Sequence, residues 1–299
     1  MNAAVNKAIV ASIRSRVPAE EYHGLPGVSI SRLKELKRSP KHYKYRLENP
    51  LQSAAMRLGT AAHCAVLEPE RFQRQFAVWD RRSDNGNLCP RRGQFYDEFV
   101  NQHAGRTIIT NDEGLDAIAI ARAVRADPLA MKYLESGEPE VTMRWTLDSQ
   151  SLLRQLIPVQ VYCRGRADWL TRIDGSPYLI GLKTARDCRA VPFGNACARL
   201  GYHLQWAFYL DGYRAITGVT PQLREIVVES TPPYDVVVYD VPNDVLLQGR
   251  AEYESLLRVL VECEARREWL GVANGHEQTI TLPTWAYDGQ DDIADLELE

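Results

Sequence analysis

Residues 165–185 read GRADWLTRIDGSPYLIGLKTA, and this stretch decides the fold. Two short runs of strand-forming residues flank a turn, so the pattern predicts a β-hairpin. The first run carries Asp168 at its start and the second ends at Lys183. The hairpin therefore places an acidic residue and a lysine on neighbouring strands.

An acid and a lysine in this arrangement suit metal-dependent phosphodiester hydrolysis. A metal ion activates water and neutralises the charge that develops on the phosphate. Magnesium takes oxygen ligands and keeps several waters, so one or two carboxylates and the substrate phosphate suffice. A nearby lysine can orient the water or stabilise the transition state. Asp168 and Lys183 match these roles. The alternative is a surface aspartate beside an edge-strand lysine.

The composition limits the class of protein. The chain has 299 residues, 45% hydrophobic and 25% charged, which is typical of a globular protein with a full core. We predict one domain over residues 1–299, with an N-terminal extension at 1–26 and an acidic tail at 288–299. The net charge of −3 gives no global signal for nucleic acid, so DNA binding would need a local basic patch.

The cysteines and the hydropathy exclude several other classes. The six cysteines form no CxxC pair, which argues against a disulfide framework, a zinc site and an Fe–S cluster. No signal peptide is visible, and no apolar run approaches the ~18 residues of a membrane span. The sequence thus predicts a location in a reducing cytoplasm and no membrane contact.

The apolar periodicity predicts one α/β domain built on a mostly antiparallel meander. From residue 140 the period becomes two, which predicts strands at 140–147, 158–173 and 177–185. Further strands are predicted at 107–110, 224–230 and 235–241, and a loop at 80–92. Helices are predicted at 53–67, 93–104, 111–136, 192–216 and 243–270, with weak helical character at 3–15.

Several short motifs occur in a characteristic order. GTAAH (59–63), GRADWL (165–170), the LKT strand and a QxxxY helix (205–209) resemble the RecB-like branch of the PD-(D/E)XK nucleases. SISRLKELKRSPKHY, LKTARD, YHLQWAFYLDGY and LPTWA make the chain similar to the RecE-type (exonuclease VIII) exonucleases of phages and prophages. The resemblance covers roughly residues 27–287. It implies a PD-(D/E)XK core, in which helices flank a central mixed sheet with an antiparallel meander.

The resemblance also assigns roles to individual residues. The catalytic set that it implies is Asp168, Lys183, Gln205 and Tyr209. The metal site that it implies contains Asp168, His63, the residue at position 181 and, as an additional acid, Glu140. Taken singly, these residues also have structural interpretations. His63 could be a structural histidine of a helix, Glu140 a solvated glutamate at the start of a strand, and Tyr209 an aromatic residue of the core.

Position 181 departs from the family pattern. The family carries an aspartate or glutamate there, whereas this chain has Gly181, whose side chain supplies no ligand. A glycine inside an apolar strand also weakens the strand. We therefore expect an empty ligand position that impairs catalysis, and expect Gly181→Asp to increase nuclease activity.

The resemblance implies a magnesium-dependent, ATP-independent 5′→3′ exonuclease on double-stranded DNA, with Mn²⁺ as a substitute cofactor. Such enzymes form rings, start at 5′-phosphate ends and leave 3′ tails for a single-strand annealing protein of the RecT or Bet type. The absence of a GxxxxGK[ST] motif fits the lack of an ATP motor. Two alternatives stay open: a RecB-like nuclease with endonuclease or single-strand activity, and a catalytically degenerate DNA-end-binding protein.

Local basic density marks the candidate DNA-binding residues. Ser29 is a good N-cap, with Val28 and Leu33 as a hydrophobic staple, and a helix N-terminus can bind a phosphate. A second group lies in the 80–92 loop. The candidate set is Ser29, Ser31, Arg32, Lys34, Arg81, Arg82, Arg91 and Arg92. The alternative for both groups is a solvated, charged face.

Overall fold

A six-stranded sheet runs through the part of the chain that the computed structural model describes, residues 11–50, 53–148 and 160–283. The strands there are β1 (Ser12–Arg14), β2 (Phe76–Trp79), β3 (Thr107–Thr110), β4 (Glu138–Asp148), β5 (Gln160–Ile173), β6 (Ser176–Ala185), β7 (Gln222–Glu229) and β8 (Val236–Asp240). The helices there are α1 (Ala19–Gly24), α2 (Ile30–Leu33), α3 (Pro40–Glu48), α4 (Ala54–Leu67), α5 (Pro69–Gln75), α6 (Gln94–Gln102), α7 (Asn111–Ala126), α8 (Pro128–Leu134), α9 (Ala190–Leu200), α10 (Tyr202–Thr217) and α11 (Asn243–Arg266). A 3-10 turn, Lys34–Lys37, follows α2 directly.

The sheet is mixed, as predicted. Its strand order is β1-β4-β5-β6-β7-β8, and only the β6–β7 pair among these neighbours is parallel. The β5–β6 hairpin closes through Asp174 and Gly175, both at positive φ, which matches the twist of the flanking strands. The parallel β6–β7 pair needs a crossover, and α9 and α10 provide it. Strands β2 and β3 form a separate parallel pair.

Each face of the sheet is covered by its own hydrophobic cluster. Helices α10 and α11 cover one face, where Leu179 of β6 is buried. Helices α4 and α7 cover the other, where Ile180 and Leu182 are buried. Since side chains alternate along a strand, Gly181 and Lys183 share the face of Leu179, beneath α10.

Two predicted helices are wrong in extent, because a single residue interrupts each of them. The helix predicted at 111–136 breaks at Asp127, which caps the next helix before Pro128. The helix predicted at 192–216 is two helices, separated by Gly201 in the left-handed region at φ 66°. The final helix ends at Arg266, four residues earlier than predicted.

The N-terminal region also differs from the prediction. Residues 12–14 form β1, which pairs with β4 at the sheet edge, where weak helical character was expected. Residues 1–10, the LPTWA segment beyond residue 283 and the predicted acidic tail at 288–299 lie outside the described residues. None of the helices in the described ranges is long and apolar enough to cross a membrane.

Candidate active site

The predicted acid and lysine meet where strands β5 and β6 part. The antiparallel register between these strands extends from the turn as far as Trp169 and Ile180. Beyond that pair, the Leu182 N–H donates to the Asp168 side chain instead of to the neighbouring strand, with Oδ2 accepting at 2.9 Å. The same oxygen lies 3.3 Å from the Lys183 Nζ. The hairpin thus brings Asp168 and Lys183 together, as the sequence predicted.

Glu140 joins this group through an irregularity in β4. The β4–β5 register passes from Pro139–Trp169 to Val141–Ala167, so Glu140 and Asp168 both lie at the skipped position. Glu140 has φ 51°, a conformation that is uncommon for a residue with a side chain and that recurs at functional sites. Its carboxylate forms an ion pair with Arg166, whose Nε lies 2.7 Å from Glu140 Oε2. The irregularity therefore aims Glu140 towards Asp168.

His63 reaches the same place from helix α4. Its Nδ1 lies 3.8 Å from Asp168 Oδ1, and the ligand atoms of His63, Glu140 and Asp168 all lie within 4.8 Å of one another. Small buried residues, Ala61 and Ala62, let α4 approach the sheet closely. Two carboxylates and an imidazole form a donor set that a divalent cation can use. The three residues fit the divalent metal that the sequence predicted.

The charge states of these groups favour metal binding. Burial alone would raise the pKa of Asp168, but the Lys183 ammonium, His63 and the Leu182 N–H outweigh it and lower the pKa. Burial lowers the pKa of His63, which keeps the imidazole neutral. Burial raises the pKa of Glu140 to about 7, although Arg166 opposes the shift. An ionised aspartate and a neutral histidine are the forms that bind metals.

Lys183 lies between two carboxylates. Its Nζ is 3.3 Å from Asp168 Oδ2 and 3.4 Å from Glu225 Oε1. Burial opposes the charged form, but the two carboxylates raise the pKa of Lys183 above its ordinary value. Its ammonium also lies 5.6 Å from the centre of the Tyr202 ring. The lysine is therefore charged and held in place.

The space beside Gly181 that we expected to be empty is filled by the Glu225 side chain. Gly181 on β6 is the register partner of Glu225 on β7. A Cβ built on Gly181 would lie 2.0 Å from Glu225 Oε2 and 2.5 Å from its carboxyl carbon. The expectation of an empty space at position 181 is therefore wrong, whereas the impaired catalysis expected from Gly181 stays a prediction. Glycine stands here because the Glu225 carboxylate fills the space.

Glu225 is completely buried, with 0% of its surface exposed. Trp206 Nε1 donates to its Oε2 at 2.6 Å. Burial raises the pKa of Glu225 to about 7, although Lys183 lowers it. Sequence reasoning did not single out this residue. The available signal was a glutamate inside the apolar strand LREIVV, where a charged side chain requires a partner.

Gln205 and Tyr209 of α10 face the same centre, as the family resemblance implied. Together with Asp168, Lys183 and Glu225 they line a cavity of about 20 Å³, room for one water. Tyr209 packs directly over β5.

Arg166 is a further residue that the sequence prediction missed. It was quoted within GRAD without a role, yet it binds Glu140 and lies over the Tyr22 ring, 4.8 Å from its centre. It therefore holds the Glu140 carboxylate in position.

The first group of predicted DNA-binding residues is only partly as expected. The predicted stapled helix is a single α-helical turn followed by a 3-10 turn, and the Ser29 side chain makes no capping hydrogen bond. Ser29 is buried, and its Oγ lies 3.3 Å from Ser31 Oγ. So short a turn does not provide the phosphate-binding helix N-terminus that we expected. Arg32, another predicted DNA-binding residue, lies within this turn.

Lys34 lies beside Lys183. Its Nζ donates to the Leu200 carbonyl at 2.8 Å and lies 5.9 Å from the centre of the Tyr202 ring, which Lys183 also faces. Burial and then the charge of Lys183 lower its pKa to about 8.

The arginines of the 80–92 loop make contacts within their own region. Arg81 stacks on Phe95, with its guanidinium carbon 3.7 Å from the ring centre. Arg82 donates to the Gly86 carbonyl, and Arg91 donates to the Ile108 carbonyl. Arg92 is exposed. These contacts tie the loop to α6 and β3 rather than to the metal-site residues, and the DNA-binding role of the four arginines stays a prediction.

Comparisons with known proteins support the fold. Residues 29–278 match the family described as a PDDEXK-like domain of unknown function (DUF3799). A search of curated proteins gave no significant match. A solved structure from Eubacterium rectale, named "Putative exonuclease", is 17% identical, with 91% of this chain and 97% of that chain covered and a TM-score of 0.56.

Two further structures are more distant. The protein SSO0001 is 14% identical over 81% of this chain and 76% of its own, with a TM-score of 0.33. The Vibrio cholerae protein VC1899 is 13% identical over 79% of this chain and 57% of its own, with a TM-score of 0.20. At these TM-scores the two structures are too different to support a common fold, and the Eubacterium rectale structure supports the fold alone. Because the family match spans most of the sequence and the sheet has the predicted mixed architecture, this chain belongs to the PDDEXK-like domain family (DUF3799), which confirms the PD-(D/E)XK nuclease prediction.

Proposed function

We propose that the protein is a divalent-metal-dependent exonuclease that degrades double-stranded DNA from 5′ ends. The observation that carries the proposal is the convergence of His63, Glu140 and Asp168 within 4.8 Å, next to Lys183. The family match supports a nuclease, and the similarity to a protein named "Putative exonuclease" favours action at ends. The 5′→3′ direction and the duplex substrate come from the sequence resemblance.

The residues of the site divide the work. Asp168, Glu140 and His63 would hold the metal ion, which when bound activates water and neutralises phosphate charge. Lys183, held charged by its two carboxylate neighbours, stabilises negative charge on the phosphate. Its Nζ also donates to the Leu182 carbonyl at 3.1 Å, which fixes its direction. Mg²⁺ is the proposed physiological ion, with Mn²⁺ as a substitute.

The proposed biological context is phage-type recombination. The exonuclease would leave 3′ single-stranded tails for a RecT- or Bet-like annealing protein, and would act as a ring of identical subunits around the duplex. Light scattering on the purified protein tests the oligomer, and co-purification with an annealing protein tests the partner. A purely monomeric protein would contradict the ring.

A nuclease assay with three DNA forms tests the proposed activity. The substrates are linear duplex with 5′-phosphate ends, covalently closed circular duplex and single-stranded DNA, each with Mg²⁺, with Mn²⁺ or with EDTA. We expect only linear duplex to be degraded rapidly, with loss of a 5′ label before a 3′ label, and no reaction in EDTA. Asp168→Asn, which keeps the side-chain shape, is the inactive control.

Other outcomes of this assay distinguish the alternatives. Cleavage of the closed circle or faster cleavage of single strands would indicate a RecB-like nuclease of different specificity. Binding of linear ends without cleavage in any metal would indicate a DNA-end-binding protein and overturn the proposed enzyme activity.

A further inference from the structure

The register of the parallel strands places the Glu225 carboxyl group where an acid at position 181 would stand. Gly181 and Glu225 are direct partners in the β6–β7 pair, so their side chains lie on the same face of the sheet. The Glu225 carboxyl carbon lies 2.5 Å from the point where a Cβ at 181 would be. In an aspartate at 181, that carbon would lie about 1.5 Å from the same point. The two carboxyl carbons would therefore lie within about 4 Å of each other.

The surroundings of Glu225 are those of an active-site carboxylate. Glu225 and Asp168 approach the same ammonium, that of Lys183, at 3.4 and 3.3 Å. Trp206 fixes Oε2 at 2.6 Å, whereas Oε1 has no hydrogen bond among the described residues and contacts only the lysine charge. Both carboxylates line the same small cavity with Gln205 and Tyr209.

A purely structural role explains these contacts poorly. Glu225 is fully buried, and a carboxylate in an apolar interior costs stability unless it is fully paired. One oxygen of Glu225 lacks a hydrogen bond within the described part of the chain. The residue also obliges its strand partner to be glycine.

We propose that Glu225, carried by β7, is a third acidic ligand of the metal site beside Asp168 and Glu140, and replaces the carboxylate that position 181 lacks. The proposal rests on the proposed nuclease function for its catalytic meaning. In this proposal the acidic ligand is carried by β7 instead of by β6. A glycine at position 181 then leaves room for the Glu225 carboxylate.

An exchange of the two side chains tests the proposal. The variants are Glu225→Gln, Glu225→Ala, Gly181→Asp and the double variant Gly181→Asp/Glu225→Ala. The matched control is Glu252→Gln, which removes a carboxylate that binds Lys37 and His203 instead of the active-site lysine. Each variant is titrated with Mn²⁺ by calorimetry, melted with and without Mn²⁺, and assayed on linear duplex DNA.

We expect Glu225→Gln and Glu225→Ala to weaken Mn²⁺ binding by at least about tenfold and to slow cleavage by about a hundredfold or more, since metal activation supplies several kcal/mol to such reactions. Gly181→Asp alone should bring no gain, because two carboxylates would compete for one space. The double variant should recover Mn²⁺ affinity and cleavage to within about tenfold of the wild type. Glu252→Gln should match the wild type in Mn²⁺ affinity and in cleavage rate.

Two results would overturn the proposal. One is wild-type Mn²⁺ affinity in Glu225→Gln. The other is a double variant that binds Mn²⁺ no better than Glu225→Ala, and this comparison also decides the matter if Glu225→Gln fails to fold. A wild-type protein that binds Mn²⁺ through Glu225 but cleaves no DNA would refute the proposed function alone. A wild-type protein without Mn²⁺ affinity would refute both.

Discussion

Gly165, the first residue of GRADWL, controls the position of Tyr209. A Cβ on Gly165 would lie 2.7 Å from Tyr209 Cε1 and 2.8 Å from its Cδ1, with Trp145 at 3.4 Å on another side. Ordinary carbon contacts begin near 3.5 Å, so Gly165→Ala must push the Tyr209 ring by several tenths of an ångström. Tyr209 is half-buried and packs against the hydrophobic cluster on this face of the sheet, so the ring has little room to move.

We expect Gly165→Ala to destabilise the protein by about 1–3 kcal/mol, the usual cost of overpacking a filled core. In a chain of this size that lowers the melting temperature by roughly 2–8 °C. Because Tyr209 lines the cavity beside Asp168 and Lys183, the rate of DNA cleavage should also fall, by about 10- to 100-fold.

The matched control is Gly194→Ala. Gly194 lies within helix α9, and a Cβ there would meet no atom within 4 Å. Alanine at such a site should stabilise the helix by up to about 1 kcal/mol and leave activity unchanged. The assays are thermal melting and cleavage of linear duplex DNA. If Gly165→Ala melts and cleaves like Gly194→Ala, the packing of Tyr209 on Gly165 does not position the active site.

Three further predictions concern the metal site and the DNA end. Asp168→Ala should abolish Mn²⁺ binding and cleavage, whereas Lys183→Met should retain Mn²⁺ affinity within a few-fold and lose cleavage by about 100-fold; equal loss of Mn²⁺ binding in calorimetric titrations of both would reject this division. Burial raises the pKa of Glu140 from 4.5 to about 7, so metal-free protein should lose up to roughly 3 kcal/mol of stability as the pH rises between these values, since ionisation costs more in the folded state. Urea unfolding at pH 5 and 7.5 in EDTA should show a larger loss in the wild type than in Glu140→Gln, where the raised pKa of Glu225 still contributes, and equal losses in both would disprove it. Although the short turn Ile30–Leu33 offers no phosphate-binding N-terminus, Arg32 still places a positive charge there, so Arg32→Ala should reduce the rate advantage of 5′-phosphate over 5′-hydroxyl duplex ends; equal slowing of both would place the phosphate pocket elsewhere.

Local periodicity was enough to predict most of the sheet. The meander from β4 to β6 and the strands β7 and β8 follow from alternating or continuous apolar runs, which are local signals. The breaks at Asp127 and Gly201 were missed because a periodic apolar pattern continues across them. Strand β1 was missed because three residues carry no period, and its pairing with β4 is a long-range contact.

The residues of the candidate site also differ in how far the sequence alone predicted them. Asp168 and Lys183 could be predicted because one hairpin carries both. His63, Gln205 and Tyr209 required a family pattern, since nothing local tells a helical histidine or an aromatic residue of the core from an active-site residue. Glu225 could not be assigned from the sequence, because its role depends on a register between strands that are separated by two helices.

The geometry of a parallel sheet limits where a missing carboxylate can be restored. Side chains of register partners point to the same face of the sheet. The partner of Gly181 on β7 is Glu225, so its side chain reaches Lys183 from the same face as a side chain at position 181 would. The strands are about 4.8 Å apart, a gap that the longer side chain of glutamate crosses more readily than that of aspartate. Once the glutamate has crossed, it fills the space above its partner, and only glycine fits there. Gly181 and Glu225 therefore form one structural unit, which explains why a glycine stands in the middle of the buried strand β6.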